Sequence, residues 1–217
     1  MKGFATSLSL FIFLAIPSIG EATVVKAHTL YQKTNISKLV VKGQVESIRS
    51  EWFVENASAH TLITLKVTET FKGQVPKSKR IIVRQAGGKI GDFDHRVEGI
   101  SRWEINEEVI MFLEPLPTVK TRKLYVELGI GIGKYEIKKR GKQSFVHHNP
   151  RVALAHVSEN KKMRVEPAPV TKPVALKDFV KQIRNYLSGK DKPVKRVTPK
   201  EAFKTPTKSS KPEVKKK

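Results

Sequence analysis

Asp92, Asp94 and His95 are residues whose types and spacing could hold a metal ion. Two carboxylates at positions i and i+2 offer the hard oxygens that calcium prefers, and an added imidazole would suit zinc or manganese. A complete site needs more ligands than these three side chains, and no terminal Glu follows at the spacing of an EF-hand loop. We therefore keep a metal-site hypothesis here beside the alternative of an ordinary polar loop.

Three aromatic residues are candidates for ligand binding: Trp52, Phe53 and Trp103. Trp52 and Phe53 are adjacent within the polar segment 50–59, which we interpret as a loop, so one of the two is expected to face solvent. Small β-barrels bind polymers with exposed aromatic and basic side chains on a strand face and its loops. The alternative is that these aromatic side chains cap the core.

The sequence offers little that would support catalysis. The chain has no cysteine, which excludes thiolate catalysis, thiolate zinc sites and a disulfide framework. We find no Ser, His and Asp arrangement with a recognisable spacing. We therefore expect a protein that is not an enzyme and needs no cofactor.

Positive charge is concentrated towards the C-terminus. The formal net charge is +22; residues 23–150 carry 22 Lys and Arg against 13 Asp and Glu, whereas residues 151–217 carry 19 against 6. The segment 189–217 is rich in lysine and proline, so we expect a disordered tail. Such a polycation would bind anionic membrane surfaces or polyanions, or would only keep the protein soluble. Its representative charged residues are Lys190, Lys192, Lys195, Arg196, Lys215, Lys216 and Lys217.

The stretch 61–71 gives the strongest prediction of secondary structure. Ile63, Leu65 and Val67 alternate with polar residues at the period of two that is typical of a half-buried strand. Further strands are expected at 39–49, where Gly43 indicates a bulge or a close approach of the backbone, and at 80–85, 109–113, 124–128, 134–139 and 143–147. Because no helical pattern lies between these strands, we predict a mainly β fold, an antiparallel barrel or sandwich over residues 23–150.

The C-terminal third is predicted to contain a linker and one helix. Residues 151–173 include several prolines and are expected to form an extended linker. Apolar residues then recur at helical spacing over 174–188, which predicts an amphipathic helix that docks on the β domain. The positions of this apolar face are Leu176, Phe179, Val180, Ile183 and Leu187.

Residues 1–22 are typical of a secretory signal peptide. Lys2 supplies a positive start, the stretch 8–16 is apolar, and small residues precede a cleavage site after Ala22. The apolar stretch is about half of the roughly 20 residues that a membrane-spanning helix needs, so we expect cleavage and no transmembrane segment afterwards. The mature protein is then expected to begin at Thr23 and to be periplasmic or extracellular.

Four segments in order carry a family resemblance: 41–45 (VKGQV), 70–73 (TFKG), 81–85 (IIVRQ) and 106–113 (NEEVIMFL). This series resembles a group of uncharacterised secreted bacterial proteins. It is also similar, more remotely, to the netrin-like module of the tissue inhibitors of metalloproteinases, which implies an OB-like barrel of five to six strands over about residues 39–137. Those inhibitors place an N-terminal cysteine on the protease zinc, and this chain has none.

These observations lead to two hypotheses for function. The first is a non-catalytic binding module of the cell envelope or extracellular space, which meets an unknown protein or envelope polymer through the aromatic side chains near Trp52. The alternative, implied by the resemblance, is an inhibitor or accessory partner of a secreted metalloprotease.

Overall fold

The computed structural model describes residues 23–53, 58–116, 123–157 and 162–191. The expected signal peptide lies outside these residues, and so do Lys192, Lys195, Arg196 and the three C-terminal lysines of the expected tail. Lys190 is described and is exposed just after the last helix.

The described part of the chain is mainly β, with thirteen strands and two helices. In chain order the elements are β1 (Val24–Lys26), α1 (Leu30–Ile36), β2 (Leu39–Phe53), β3 (Ser58–Lys72), β4 (Arg80–Ala86), β5 (Gly88–Ile90), β6 (Phe93–His95), β7 (Glu108–Pro115), β8 (Leu124–Glu127), β9 (Lys134–Arg140), β10 (Gln143–His147), β11 (Ala153–Val157), β12 (Met163–Pro167), β13 (Val174–Ala175) and α2 (Leu176–Leu187).

The long antiparallel pair β2–β3 is the central element of the fold. It pairs from Val40 with Lys72 to Phe53 with Ser58, and its register shifts at three places near the start of β2. One shift falls between Lys42 and Gly43, which confirms the predicted irregularity there. A Cβ at Gly43 would lie 2.9 Å from the carbonyl oxygen of Lys66, so the close approach of the two strands favours glycine at this position.

Eight strands form the main sheet in the order β13-β10-β9-β7-β2-β3-β4-β8. β8, the last strand of this order, pairs with β4 and also with β7, which lies in the middle of the order. The β4–β8 pair is parallel, and so is β1–β11. The prediction of an antiparallel arrangement over residues 23–150 is therefore wrong for the β4–β8 pair, while the β1–β11 pair joins β1 to the segment predicted as a linker. Both pairs join strands far apart in the chain, and the periodicity of one strand does not indicate the direction of its partner.

The buried side chains form two main clusters on opposite faces of the sheet. β7 supplies both, because Val109, Met111 and Leu113 belong to one cluster while Ile110 and Phe112 belong to the other. All five of these residues are fully buried, as predicted for a strand that is apolar at every position.

Helix α2 packs on the second of these clusters. Phe179 and Ile183 are buried in it, and Leu176, Val180 and Leu187 pack against it. This confirms the predicted amphipathic helix and its docking on the β domain. Helix α1 lies beside α2, where the rings of Tyr31 and Tyr186 meet edge to face at 5.4 Å. No helix in the described ranges is long and apolar enough to cross a membrane.

Residues 151–173, which the sequence predicts to be a linker, contain two paired strands. β11 pairs with β12 in antiparallel and with β1 in parallel, which makes a separate three-stranded sheet. The prolines 167, 169 and 173 lie at the end of β12 or after it, so they leave the five paired positions of the hairpin intact.

The predicted loop over 50–59 also differs from the structure. β2 continues to Phe53 and β3 begins at Ser58, so Trp52 and Phe53 are strand residues. The polar residues of this stretch indicated a loop because they follow the end of the clear apolar pattern. The strand nevertheless continues through them.

Candidate functional site

A groove of about 520 Å³ lies along the chain segment 94–104. Its lining includes Ile48 of β2, Thr61 of β3, Gln85 of β4 and Trp103, all of them half-buried. Arg151, which precedes β11, also lines it. We call this feature the 94–104 groove.

The short hairpin β5–β6 lies close to the β2–β3 pair at this groove. A Cβ at Gly88 would lie 2.6 Å from Ser50 Oγ and 2.9 Å from Thr61 Oγ1. The backbone of β5 can therefore approach both strands because residue 88 has no side chain. This close contact fixes where the hairpin places its own exposed residues.

Among the residues that the structure describes, the most exposed aromatic pair lies at this hairpin. The rings of Trp52 on β2 and Phe93 on β6 lie 4.8 Å apart, tilted by 43°. Trp52 is 47% exposed and Phe93 is 45% exposed. The ring of His95 lies 6.3 Å from that of Phe93, and His95 lines the groove. We call Trp52 and Phe93 the aromatic platform.

Alternation along β2 explains why one aromatic residue is available and its neighbour is not. Ile48, Ser50 and Trp52 point to the same face of β2. On that face Ile48 lines the groove, Ser50 contacts the hairpin and Trp52 belongs to the platform. Phe53 points to the other face and is buried with Leu62. The sequence hypothesis that one of the two residues faces solvent is right: Trp52 is exposed, whereas Phe53 is buried and is not part of the exposed surface at the platform.

Trp103 has a fixed position in the groove. Its indole Nε1 donates a hydrogen bond of 2.9 Å to Gln85 Oε1, and Lys134 Nζ lies 4.8 Å from its ring centroid. Lys134 is buried, forms an ion pair of 2.7 Å with Glu107 and donates to the carbonyl of Arg102. Burial raises the pKa of Glu107, against the opposing effect of Lys134. Trp103 is thus held by its neighbours as part of the groove wall.

The charges of the groove are balanced. Arg96 donates through Nε and Nη2 to one oxygen of Asp94 at 3.0 and 2.8 Å, and this hydrogen bonding lowers the pKa of Asp94. The other charged residues of the lining are two arginines and two glutamates, so each sign is equally represented. They are Arg102, Arg151, Glu98 and Glu104.

The metal-site hypothesis is not supported by this geometry. Asp92 lies in the turn between β5 and β6, whereas Asp94 and His95 are successive strand residues that point to opposite faces. Asp94 is engaged by Arg96. In the ranges that the structure describes, no three His, Cys, Asp or Glu side chains form a group that could hold a metal ion.

A buried amine lies elsewhere in the fold, and sequence reasoning missed it. Lys33 of α1 is 3% exposed, and its Nζ lies 2.6 Å from the carbonyl oxygen of Ile132, 2.9 Å from Tyr135 Oη and 3.4 Å from His148 Nε2. Burial lowers the pKa of Lys33 to about 7 and that of His148 to about 3. Lys33 does not line the 94–104 groove, so we treat it as a feature of stability.

Phe93 is the second residue that the sequence reasoning missed. An aromatic residue within Gly-Asp-Phe-Asp, a polar stretch at positions 91–94, was the available signal. Only the contact between two hairpins shows that it meets Trp52. No protein-family model matches this chain, and a search of curated proteins gives no significant match.

Proposed function

We propose that the protein is an exported, non-catalytic binding module of the cell envelope that holds a polymeric ligand on the aromatic platform and along the 94–104 groove. The observation that carries this proposal is the contact between Trp52 and Phe93, which leaves two large aromatic side chains nearly half exposed. Placing so much apolar surface in water is unfavourable, and a ligand that covers it recovers that free energy.

The shape and charge of the site favour one class of ligand. The groove is open and bears both signs of charge, so it suits a chain that carries acidic and amino groups rather than a simple polyanion. Aromatic rings beside it can pack on the flat faces of sugar rings. Envelope glycans that carry charged substituents combine these properties, and we propose them as the ligand.

We further propose that the five strands β7, β2, β3, β4 and β8 close into an OB-like barrel. The support is that each pairs with the next and that β8 pairs back to β7. Small barrels of this kind bind oligosaccharides and oligonucleotides on a strand face and the adjoining loops. The 94–104 groove is lined by residues of β2, β3 and β4, three of these five strands. Secretion rests on the sequence of residues 1–22.

The experiment uses the two tryptophans of the chain. In a Trp103→Phe background Trp52 is the only indole, so its fluorescence reports the platform directly. We expect soluble peptidoglycan fragments to change this signal in a saturable way. In a chain that keeps Trp103, a separate sedimentation assay with insoluble peptidoglycan should show that Trp52→Ala weakens binding about tenfold, since an aromatic contact of this kind contributes about 1 kcal/mol or more.

The matched control is Val170→Ala, which shortens a side chain that is also exposed and does not line the groove. This variant should bind as the unmodified protein does. Phe93→Ala should resemble Trp52→Ala. Equal retention of all four proteins on peptidoglycan, or no retention of any of them, would contradict the proposal.

The position of Thr23 supports the alternative proposal, inhibition of a secreted metalloprotease. Thr23, the expected first residue after cleavage, donates from Oγ1 to the carbonyl oxygen of Glu98 at 2.7 Å, so it lies at the rim of the 94–104 groove. The tissue inhibitors of metalloproteinases, which this chain remotely resembles in sequence, act through their N-terminal residue. Incubation of the exported protein with a panel of metalloproteases distinguishes the proposals: stoichiometric loss of cleavage would favour inhibition, and unchanged cleavage would favour the binding module.

A further inference from the structure

The three-stranded sheet β1-β11-β12 has β12 at its outer edge. Within the described residues β12 pairs with β11 alone. Two of its apolar side chains are exposed: Met163 is 67% exposed and Val165 is 46% exposed. Edge strands in soluble proteins are commonly protected by charged residues or by a covering element, because their free backbone groups can pair with another strand.

The backbone hydrogen bonds show which groups of β12 point outward. Ala153 N–H donates to the Thr23 carbonyl at 3.0 Å, so residue 153 faces β1. Ala168 N–H donates to the Val152 carbonyl at 2.9 Å, so residues 152 and 168 bond each other between β11 and β12. Hydrogen-bonded pairs alternate along an antiparallel ladder, so residues 164 and 166 also bond inward.

The outward positions are therefore Met163, Val165 and Pro167. Pro167 has no N–H group, and prolines of edge strands occupy the positions that face away from the sheet. Pro167 limits pairing at one end of the strand. Among the described residues, the outward N–H and C=O groups of Val165 and the outward N–H of Met163 have no backbone partner. The edge can thus accept another strand, with its centre at Val165.

We propose that a second copy of this chain pairs with β12 in antiparallel, about a two-fold axis through Val165. In that register Val165 meets Val165 of the second copy and exchanges both backbone hydrogen bonds with it. Met163 N–H donates to the Pro167 carbonyl, and symmetry repeats this bond. Arg164 then stands opposite Glu166, and Glu166 opposite Arg164, so the strand is complementary to itself in charge.

The side chains agree with this arrangement on both faces. Arg164 and Glu166 already form an ion pair of 3.1 Å within one copy, so they lie on the same face. Met163, Val165 and Pro167 lie on the opposite face, where the pairing would bring apolar side chains of the two copies together. The dimer would contain a continuous six-stranded sheet.

This dimer is expected to be weak. A contact made by one strand of five residues covers much less surface than a stable interface needs, so we expect a dissociation constant on the order of 100 µM. The high positive charge of both copies opposes association. Salt screens that repulsion, so the measurement belongs at an ionic strength on the order of 0.3 M.

The test is sedimentation equilibrium of the purified protein from about 10 µM to about 1 mM. We expect a reversible monomer–dimer equilibrium. Arg164→Glu and Glu166→Arg each place like charges opposite one another twice in the dimer, so each variant alone should dimerise about tenfold more weakly. Mixed together, the two variants present opposite charges at every position.

The mixture should therefore form a heterodimer within about threefold of the original affinity. Rescue by mixing cannot arise from the ion pair within one copy, which stays broken in both variants. A mixture that remains as weak as its components, or an unmodified protein that stays monomeric throughout the range, would overturn the proposal.

A second pair of variants tests the backbone contact itself. Val165→Pro removes an outward N–H while leaving the bonds of β12 to β11 intact, so it should abolish the dimer with little change in the monomer's circular dichroism. Val165→Thr keeps that N–H and a side chain of similar shape, and it should dimerise within about threefold of the original. Equal dimerisation of the proline and threonine variants would also overturn the proposal.

Discussion

At the scale of single residues, Lys33 places a basic group in an environment that opposes its charge. The side chain extends from α1 into the fold, where it meets the Ile132 carbonyl and the Tyr135 hydroxyl. Tyr135 and His148 stack with ring centroids 4.2 Å apart, so two titratable rings surround the amine. Burial lowers the pKa of Lys33 to about 7, while the charge of Glu127 acts in the opposite direction.

We expect the free energy of unfolding to rise with pH between about 7 and 10. In that window the unfolded chain keeps the proton of Lys33 near its ordinary pKa, whereas the folded protein has released it. The unfolded state then binds more protons, so raising the pH favours the folded state by up to about 1.4 kcal/mol per pH unit. Below pH 7 both states are protonated, and the cost of burying the charge is fully present.

The neighbouring groups set the limits of this window. His148 has a lowered pKa of about 3, so it adds a rise in stability between about pH 3 and 6.5. Burial raises the pKa of Tyr135, so stability falls again above about pH 10, where the unfolded state loses the tyrosine proton first. Both effects lie outside the interval that Lys33 governs.

Lys33→Met tests this account through urea unfolding at several pH values. The variant should lose most of the rise in stability between pH 7 and 10, because Met has no proton to release. Lys177→Met on the exposed face of α2 is the control and should retain the rise. An equal slope in the two variants would show that the buried amine does not govern this pH dependence.

At the scale of elements, α2 covers a hydrophobic face of the main sheet. Ile183 is fully buried there, and the Phe179 ring lies 4.8 Å from that of Tyr135. The helix has an N-cap, Ala175, that makes no side-chain hydrogen bond to its first turn. Its position therefore depends on the packing of its apolar face more than on its own end contacts.

Ile183→Ala should lower the free energy of unfolding by about 2–5 kcal/mol, since it removes a buried branched side chain and leaves a cavity. Lys181→Ala, two residues earlier on the exposed face, should change it by less than about 0.5 kcal/mol. Urea unfolding gives both values, and amide exchange shows whether α2 opens before the sheet. A loss below about 1 kcal/mol for Ile183→Ala would argue against tight docking.

At the scale of the whole molecule, the lysine-rich C-terminus gives the sequence its strongest electrostatic signal. Residues 192–217 carry ten Lys and Arg against two Glu. We expect binding of the full chain to anionic vesicles or heparin to fall steeply with salt, because neutralising several anionic groups releases their counterions. A version that ends at Asp191 should elute from heparin at clearly lower salt.

That end point preserves the end of α2. Lys190 N–H donates to the Asn185 carbonyl at 3.0 Å, and Asn185 Nδ2 donates to Asp191 at 2.9 Å. The shortened protein therefore lacks residues 192–217 but keeps these contacts at the end of α2. Equal retention of both proteins, or retention that salt does not change, would leave the β domain as the contact.

The sequence by itself determined the local features whose cause is local. Alternation at Ile63, Leu65 and Val67 predicted β3, the unbroken apolar run 109–113 predicted a strand buried on both faces, and spacing from Leu176 to Leu187 predicted α2 and its packing face. In each case the period of the side chains follows from the backbone geometry of one element. Neighbouring residues in the chain carry the whole signal.

The tertiary structure decided what depends on contacts between distant segments. Trp52 meets Phe93 because the backbone of Gly88 lies against β2 and β3, and Lys33 is buried because the carbonyl of Ile132 and the ring of Tyr135 surround it 99 and 102 residues later. The parallel pairs and the strands within 151–173 have the same origin. Strand pairing over long separations depends on the packing of the whole chain, which the periodicity of one segment does not record.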